Sequence, residues 1–213
     1  MALVSALIIA IDGPAGSGKS TVARALAERL GWSFLDTGAM YRAITVEALR
    51  RQLNVRDDAA LAALSASSVV RTLPRVTING RDVEDEIRTE PVNEAVSIVA
   101  ANPLVRASMV ARQREFADAQ PIGTVVEGRD ITTVVFPSAT IKVYLSASLE
   151  ERVRRRGGDE EPASLARRDD ADSTRAASPL RVAHDAIEID TTSRDVNDVV
   201  EEIVECLHQK TSS

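Results

Sequence analysis

Near its amino end the chain reads Gly13-Pro14-Ala15-Gly16-Ser17-Gly18-Lys19-Ser20-Thr21, which fits the pattern G-x-x-x-x-G-K-[S/T]. The apolar run Ala6 to Ile11 precedes it and predicts a buried strand. A helical pattern follows, with Val22 and Leu26 on one face and Gly31 just past the end. Strand, glycine-rich turn and helix form the context in which this pattern builds a phosphate-binding loop, or P-loop.

The residues of the P-loop suit a polyphosphate with magnesium. Glycines let the backbone direct successive N–H groups at phosphate oxygens, and the helix N-terminus adds partial positive charge. Lys19 supplies a full charge that reaches the outer phosphates, and the Ser20 hydroxyl is an oxygen ligand that Mg²⁺ accepts. A glycine-rich turn with an incidental lysine is the alternative. The loop leaves the phosphate acceptor open: water, a small molecule, a protein or another nucleotide.

The composition is that of an ordinary globular protein. The 213 residues suit one core with small insertions, and the net charge of −6 argues against bulk nucleic-acid binding. The single cysteine, Cys206, excludes an intrachain disulfide and fits a reducing compartment. The first apolar run is too short to span a bilayer and leads straight into the P-loop. We therefore expect a cytoplasmic protein with no membrane association. The sequence pattern shows no exposed apolar stripe, so we expect a monomer by default.

Apolar runs alternate with helical patterns along the chain, which predicts a parallel sheet covered on both faces. The predicted strands are 6–11, 34–35, 124–126, 141–145 and 187–189, and the predicted helices are 19–30, 39–53, 92–100, 103–118, 148–156 and 195–209. Ligands of such sheets bind at the carboxyl ends of the strands.

Two segments interrupt this alternation. Residues 69–87 contain Asn79-Gly80 between alternating apolar residues, which predicts a small antiparallel hairpin insertion. Residues 154–175 are dense in charge, which is typical of a solvated loop or a frayed helix. In an enzyme that transfers phosphoryl groups, arginines on such a flap could instead deliver charge to the transition state.

Two further motifs follow predicted strands. Asp36 to Arg42 reads DTGAMYR, and a helix N-cap by Asp36 or Thr37 explains half of it. Glu127 to Asp130 reads EGRD. Arg129 suits a phosphate, and an ionised Asp130 suits an exocyclic amine. A charged loop with an internal ion pair explains the EGRD motif equally well.

The motifs GPAGSGKST, DTGAMYR, EGRD followed by ITTVVFPSA, and RRDDADSTR, in this order and spacing, closely resemble the bacterial cytidylate kinase family. This family belongs to the nucleoside monophosphate (NMP) kinases. The resemblance runs from about Ile8 to about Val204. It implies transfer of the terminal phosphoryl of ATP to CMP or dCMP, giving CDP or dCDP and ADP, with Mg²⁺ as cofactor.

The resemblance also implies a fold and a domain organisation. We expect an α/β P-loop kinase fold of three layers, with a five-stranded parallel sheet between helices, a small antiparallel NMP-binding insertion and a short lid. The expected parts are the core (1–36, 119–151 and 176–213), the NMP-binding region (37–118, with the hairpin at about 69–87) and the lid (152–175).

Roles for individual residues follow from the resemblance as well. Gly13, Pro14, Ala15, Gly16, Ser17, Gly18, Lys19, Ser20 and Thr21 would hold the ATP phosphates, with Ser20 on the metal; Thr37, Tyr41, Arg42 and Arg129 would surround the acceptor phosphate; Ser97, Arg106 and Asp130 would read cytosine; Arg168, Asp172 and Arg175 would come from the lid. The implied catalytic residues are Lys19, Arg129, Arg168 and Arg175. The cytosine amine matches the Asp130 carboxylate, whereas uracil would present an acceptor there.

Some alternatives stay open from the sequence. Arg154 to Arg156 could contribute from the lid in place of the later arginines. Glu127 is placed to orient Mg²⁺ through water, but helix packing or a bond to the amides of the P-loop would explain it too. The alternative functions are a related kinase for UMP or shikimate, a regulatory P-loop NTPase, or a nucleotide-binding protein without enzymatic activity. A guanine-reading Asn-Lys-x-Asp stretch, which a regulatory switch would need, does not occur in the sequence.

Overall fold

The computed structural model describes residues 7–156, 162–174 and 180–212. The strands are β1 (Leu7–Asp12), β2 (Ser33–Asp36), β3 (Val70–Arg71), β4 (Thr77–Ile78), β5 (Arg81–Asp82), β6 (Gly123–Gly128), β7 (Ile141–Ser146) and β8 (Ile187–Asp190). The α-helices are α1 (Lys19–Leu30), α2 (Thr37–Arg50), α3 (Asp58–Ser67), α4 (Glu90–Ala101), α5 (Pro103–Asp118), α6 (Leu149–Arg155), α7 (Pro162–Ser173) and α8 (Val196–Thr211). A π-helical turn, Ile131–Val135, follows β6.

The main sheet has five strands in the order β2-β6-β1-β7-β8. Strand β1 runs parallel to β6 and β7, and β7 runs parallel to β8. Ile9, Ile11 and Val143 are completely buried in this sheet, and side chains of α1 and α8 such as Leu26 and Ile203 pack in the same core. A continuous apolar strand such as β1 is what a parallel sheet with two covered faces requires. The predicted five-stranded parallel sheet is therefore confirmed.

The strand register brings together the loops that were expected to bind ligand. Asp12 at the end of β1 lies opposite Gly128 of β6 and Tyr144 of β7. The P-loop continues directly from β1, and Arg129 and Asp130 continue from β6. Both motifs therefore start at the carboxyl edge of the sheet.

The chain divides into two compact units. One unit comprises residues 1–35 with 116–213, and the other comprises residues 36–115. The assignment of residues 37–118 to NMP binding and of 152–175 to a lid stays a prediction.

The second unit contains the predicted hairpin. Strands β4 and β5 are antiparallel, with Ile78 opposite Arg81, and β3 completes a three-stranded sheet. Asn79 and Gly80 between them have φ angles of 51° and 80°. This is the left-handed conformation that a tight hairpin turn needs at both central positions, so the prediction from Asn-Gly is confirmed.

Several helix boundaries differ from the sequence pattern. Helix α2 begins at Thr37, two residues earlier than predicted, because Asp36 caps it, and it ends before Gln52, whose φ of 57° is not helical. Helix α3 was missed, although Asp57 caps it and Leu61 and Leu64 form its buried face. Helix α7 occupies part of the charge-dense segment 154–175. Within the described residues, we find no helix with the length and apolar character needed to cross a membrane.

Candidate active site

The backbone of the P-loop has glycine where other residues would not fit. Gly16 has a φ of 79°, and a Cβ atom built there would lie 2.9 Å from both the Cβ and the carbonyl oxygen of Arg152. A Cβ atom on Gly13 would lie 2.1 Å from the carbonyl oxygen of Leu145. Backbone approach this close is possible only without a side chain. The loop is thus held tightly between the ends of β1 and β7 and helix α6.

Lys19 and Ser20 open helix α1 directly after the loop. Lys19 is buried, and its Nζ donates to the carbonyl oxygen of Pro14 at 2.8 Å, so the ammonium group folds back over the loop. Ser20 Oγ donates to Glu127 Oε1 at 2.7 Å. Gly18, the N-cap residue, provides no side-chain cap. The start of α1 therefore carries an ammonium group, a helix N-terminus, a serine hydroxyl and the carboxylate that accepts from it.

The EGRD motif lies against the start of the P-loop. Arg129 Nη1 donates to the carbonyl oxygen of Gly13 at 2.6 Å. Asp130 is buried, and its backbone carbonyl accepts from the amides of Val134 and Val135 in the π-helical turn at 2.9 and 3.2 Å. The structure thus brings Arg129 to the P-loop and fixes the backbone of Asp130 next to it.

Asp12 is a buried carboxylate that sequence reasoning missed. Its Oδ1 accepts from the amide of Ile131 at 2.8 Å, and its Oδ2 accepts from the amide and the hydroxyl of Thr132 at 2.8 and 2.6 Å. Burial raises the pKa of the Asp12 carboxyl, while these three hydrogen bonds lower it and the nearby Asp130 raises it further. The available signal was an acidic residue ending an otherwise apolar strand.

Helices α6 and α7 also contact the P-loop. Arg152 is buried, donates to the carbonyl oxygen of Ala15 at 3.1 Å and forms an ion pair with Asp169. Asp169 Oδ1 accepts from the amide of Ala15 at 3.4 Å. Both residues lie in the predicted lid segment, but the sequence did not single out either one.

Arg154 and Arg155, which could also contribute from the lid, make different contacts. Arg155 donates to the hydroxyl and the carbonyl oxygen of Thr191 at 2.9 and 2.6 Å. The Thr191 hydroxyl in turn donates to the carbonyl oxygen of Ser17 at 3.0 Å. Arg154 pairs with Glu151 on its own helix. Arg155 therefore supports the P-loop through the loop after β8.

The second unit holds five of the predicted site residues. Thr37 and Tyr41 are buried on α2, Arg42 and Ser97 are half-buried on α2 and α4, and Arg106 is buried on α5. Asp36 accepts from the amide of Ala39 at 2.8 Å, which confirms the N-cap prediction and assigns it to Asp36.

Two pairs of contacts orient the arginines of this unit. The guanidinium carbon of Arg106 lies 5.8 Å from the centre of the Tyr41 ring, in cation–π contact. Arg42 Nη1 donates to the carbonyl oxygen of Ile87 at 2.7 Å and to Asn93 Oδ1 at 2.8 Å. Asn93 was not predicted as part of the site, and no sequence motif marks it.

The later lid residues are less fully described. The backbones of Arg168 and Asp172 belong to α7, and their side chains are outside the described part of the structure. Arg175 lies in the segment 175–179, outside the described residues. Their predicted roles stay predictions.

Comparison with known proteins identifies the family. A family model described as cytidylate kinase matches residues 9–209. The chain is 49% identical to a cytidylate kinase of Geobacillus kaustophilus (strain HTA426), over 95% of this chain and 96% of that protein. It is 46% identical to a cytidylate kinase of Rhodococcus jostii (strain RHA1), over 98% of each.

A solved structure supports the fold alone. The protein TT1252 from Thermus thermophilus superposes with a TM-score of 0.52 at 21% identity, covering 96% of this chain and 97% of that one. The sequence matches cover nearly the whole chain, and they agree with the P-loop and with the EGRD turn that contacts it. The chain belongs to the cytidylate kinase family.

Proposed function

We infer that the protein is an ATP-dependent kinase that transfers the terminal phosphoryl of ATP to CMP or dCMP, giving CDP or dCDP and ADP. The observation that carries this inference is the contact between Arg129 and the carbonyl oxygen of Gly13. It joins the loop that would hold the donor phosphates to the turn that carries Arg129 and Asp130. A related kinase for UMP or shikimate is not favoured, because the family model that matches is that of the cytidylate kinases.

We propose that the P-loop binds the ATP phosphates through its backbone amides and Lys19. The Lys19 ammonium already lies over the loop, where it would neutralise charge on the outer phosphates. Phosphoryl transfer needs no covalent intermediate, so positioning and charge stabilisation supply the catalysis.

Ser20 and Glu127 fit the preferences of Mg²⁺. Their oxygens lie 2.7 Å apart at the start of α1, and magnesium prefers such hard oxygen ligands. We propose that Ser20 ligates the ion and that the Glu127 carboxylate holds one of its water ligands. Bound Mg²⁺ would neutralise the charge of the transferring phosphates.

The acceptor specificity is proposed to come from Asp130. Its backbone is fixed by the π-helical turn, and its carboxylate would accept from the cytosine amine. Uracil would bring a carbonyl oxygen to the same place, where no hydrogen bond forms and two acceptors repel each other. By the family resemblance, Ser97 and Arg106 also read the base, and Thr37, Tyr41, Arg42 and Arg129 bind the acceptor phosphate.

The lid and the setting of the enzyme complete the proposal. Arg168, Asp172 and Arg175 are proposed to act from the lid, and closure would exclude water as a competing acceptor. We propose a monomeric, cytoplasmic enzyme that acts on nucleotides and binds neither nucleic acid nor membrane, in keeping with its net charge of −6.

Product identification tests this function. In a mixture of enzyme, MgATP and CMP, ³¹P NMR should show the resonances of CDP and ADP growing in equal amounts. Growth of inorganic phosphate without CDP would show hydrolysis and would favour the regulatory NTPase.

A further inference from the structure

Asp12 makes three hydrogen bonds that span 119 and 120 positions of sequence, all of them to the turn that follows EGRD. The carboxylate is fully buried, with 0% exposure. Its partners are the backbone amides of Ile131 and Thr132 and the hydroxyl of Thr132. Backbone N–H groups only donate, so the two oxygens of an ionised carboxylate can accept from both of them, whereas the Nδ2 of an asparagine could accept from neither.

These hydrogen bonds connect two loops that are proposed to bind the substrates. Asp12 directly precedes Gly13, the first residue of the P-loop, and Ile131 directly follows Asp130. The hydrogen bond from Arg129 to the carbonyl oxygen of Gly13 is a second link between the same two loops. Both links oppose a shift of the turn relative to the P-loop.

The chemistry of the site also argues against simple packing. Burial of a carboxylate costs free energy, and a well-packed apolar residue at the end of β1 would avoid that cost. What an apolar residue could not do is hold the amides of Ile131 and Thr132 at a fixed place.

We propose that Asp12 is a positioning residue for acceptor selection: it fixes the turn that carries Arg129 and Asp130 against the P-loop. This inference rests on the proposed function, because it assigns Asp130 the reading of cytosine. Asp12 touches neither nucleotide in this role. By holding the turn, Asp12 fixes the position of Asp130 before the cytosine base binds.

The test compares CMP with UMP in the variant Asp12→Asn. The new Nδ2 donor would face an N–H or O–H donor, which leaves a buried group without a partner. We expect kcat/KM for CMP to fall about tenfold and the CMP-to-UMP ratio of kcat/KM to fall with it. The dissociation constant for ATP without acceptor should change less than about twofold.

Two variants that each lose one buried threonine hydroxyl serve as a test and its matched control. Thr132→Val removes one donor to Asp12, whereas Thr124→Val removes a hydroxyl on β6 that is equally buried and makes no hydrogen bond within the described residues. Thr132→Val should lower the CMP-to-UMP ratio about threefold, and Thr124→Val should leave it unchanged. These variants decide the matter if Asp12→Asn does not fold: equal ratios in both would overturn the proposal.

Amide hydrogen exchange gives a readout that does not depend on activity. In Asp12→Asn the amides of Ile131 and Thr132 should exchange at least tenfold faster, while amides in the middle of β7 keep their protection. An unchanged CMP-to-UMP ratio with a general loss of protection would make Asp12 purely structural and overturn the proposal. If the wild-type protein did not phosphorylate CMP, the proposed function would fail, and local exchange at residues 131 and 132 would still decide whether Asp12 holds the turn.

Discussion

Ser20 Oγ lies 2.7 Å from Glu127 Oε1, so the first turn of α1 is joined to the carboxyl end of β6. Glu127 is buried, with 4% exposure, and its oxygen is the acceptor of this bond. Ser20 and Glu127 are therefore hydrogen-bonded to each other at the place where Mg²⁺ is proposed to bind.

Replacement of Glu127 by Gln tests this placement. Loss of the negative charge should raise the Mg²⁺ concentration for half-maximal activity about tenfold, because a neutral amide holds a metal-bound water more weakly. The measurement is the rate of ADP release against Mg²⁺ at fixed ATP and CMP. The exposed Glu28 on the same helix provides the control, as Glu28→Gln. An unaltered Mg²⁺ requirement in Glu127→Gln would contradict a role in holding the metal and leave Glu127 only its hydrogen bond to α1.

Gly16→Ala should impair ATP binding more than folding. The φ of 79° and the 2.9 Å approach to Arg152 force the loop to shift when a Cβ is added. We expect ATP affinity, measured by titration calorimetry, to fall tenfold or more. Gly31→Ala is the matched control, since Gly31 has a φ of 66° with open space around it. It should lower the free energy of unfolding by about 1–2 kcal/mol, the cost of a left-handed alanine, and leave ATP affinity intact. Similar ATP affinities in the two variants would refute the role of the close approach.

Asn93 is expected to orient Arg42 for the acceptor phosphate. Its Oδ1 accepts from Arg42, and its Nδ2 donates to the carbonyl oxygen of Arg88 at 3.0 Å, which fixes the direction of the amide. Asn93→Ala should raise KM for CMP three- to tenfold, with KM for ATP unchanged, because Arg42 loses its bond to Asn93 and keeps the one to the carbonyl oxygen of Ile87.

The neighbouring exposed residue Glu94 supplies the control for Asn93. Glu94→Ala should behave like the wild type in steady-state kinetics. A double-mutant cycle with Arg42→Ala should show coupling, because the two side chains share one hydrogen bond. Additive effects in the cycle would count against the orienting role.

Glu47 predicts a pH dependence of stability. Its carboxylate is buried on α2 and binds Arg50 and Arg51, each at 2.7 Å. The pKa of Glu47 is lowered from 4.5 to about 2, mainly by the hydrogen bond from Arg50 and also by the one from Arg51. Because the pKa is lower in the folded protein, the stabilisation is complete above about pH 4.5 and is lost as the pH falls toward about 2.

The variant Glu47→Gln measures this contribution. At pH 7 it should lower the free energy of unfolding by about 1–3 kcal/mol, and the difference from wild type should shrink between about pH 4.5 and 2. Urea unfolding at several pH values gives both numbers. Glu115→Gln, at an exposed position of the same unit, should show no such trend. A deficit that stayed constant down to pH 2 would contradict the ion-pair explanation.

Local signals predicted most of the fold. The P-loop pattern and Gly31 gave both ends of α1, and Asn79-Gly80 gave the hairpin, because each depends on backbone preferences of a few neighbouring residues. Helix α3 was missed because its alanines blur the apolar pattern, although Asp57 marks its start.

The supporting contacts of the site could not be predicted, because they join distant parts of the sequence. Asp12 meets Thr132 only when β1 and β6 pair, and Asp169 meets Ala15 only when α7 folds back onto the loop. No spacing rule links such residues. The P-loop residues could be proposed from the sequence because a phosphate-binding loop carries its chemistry in consecutive positions.

The acceptor panel is the most direct test of the account. ADP release by the wild-type enzyme is measured with CMP, dCMP, UMP, AMP or no acceptor, and the series is repeated with Asp130→Ala. The account predicts rapid release with CMP and dCMP, kcat/KM about a hundredfold lower with UMP, and a ratio near one for CMP over UMP in Asp130→Ala. ADP release that is independent of the acceptor, or an Asp130→Ala variant that loses CMP and UMP activity equally, would contradict it.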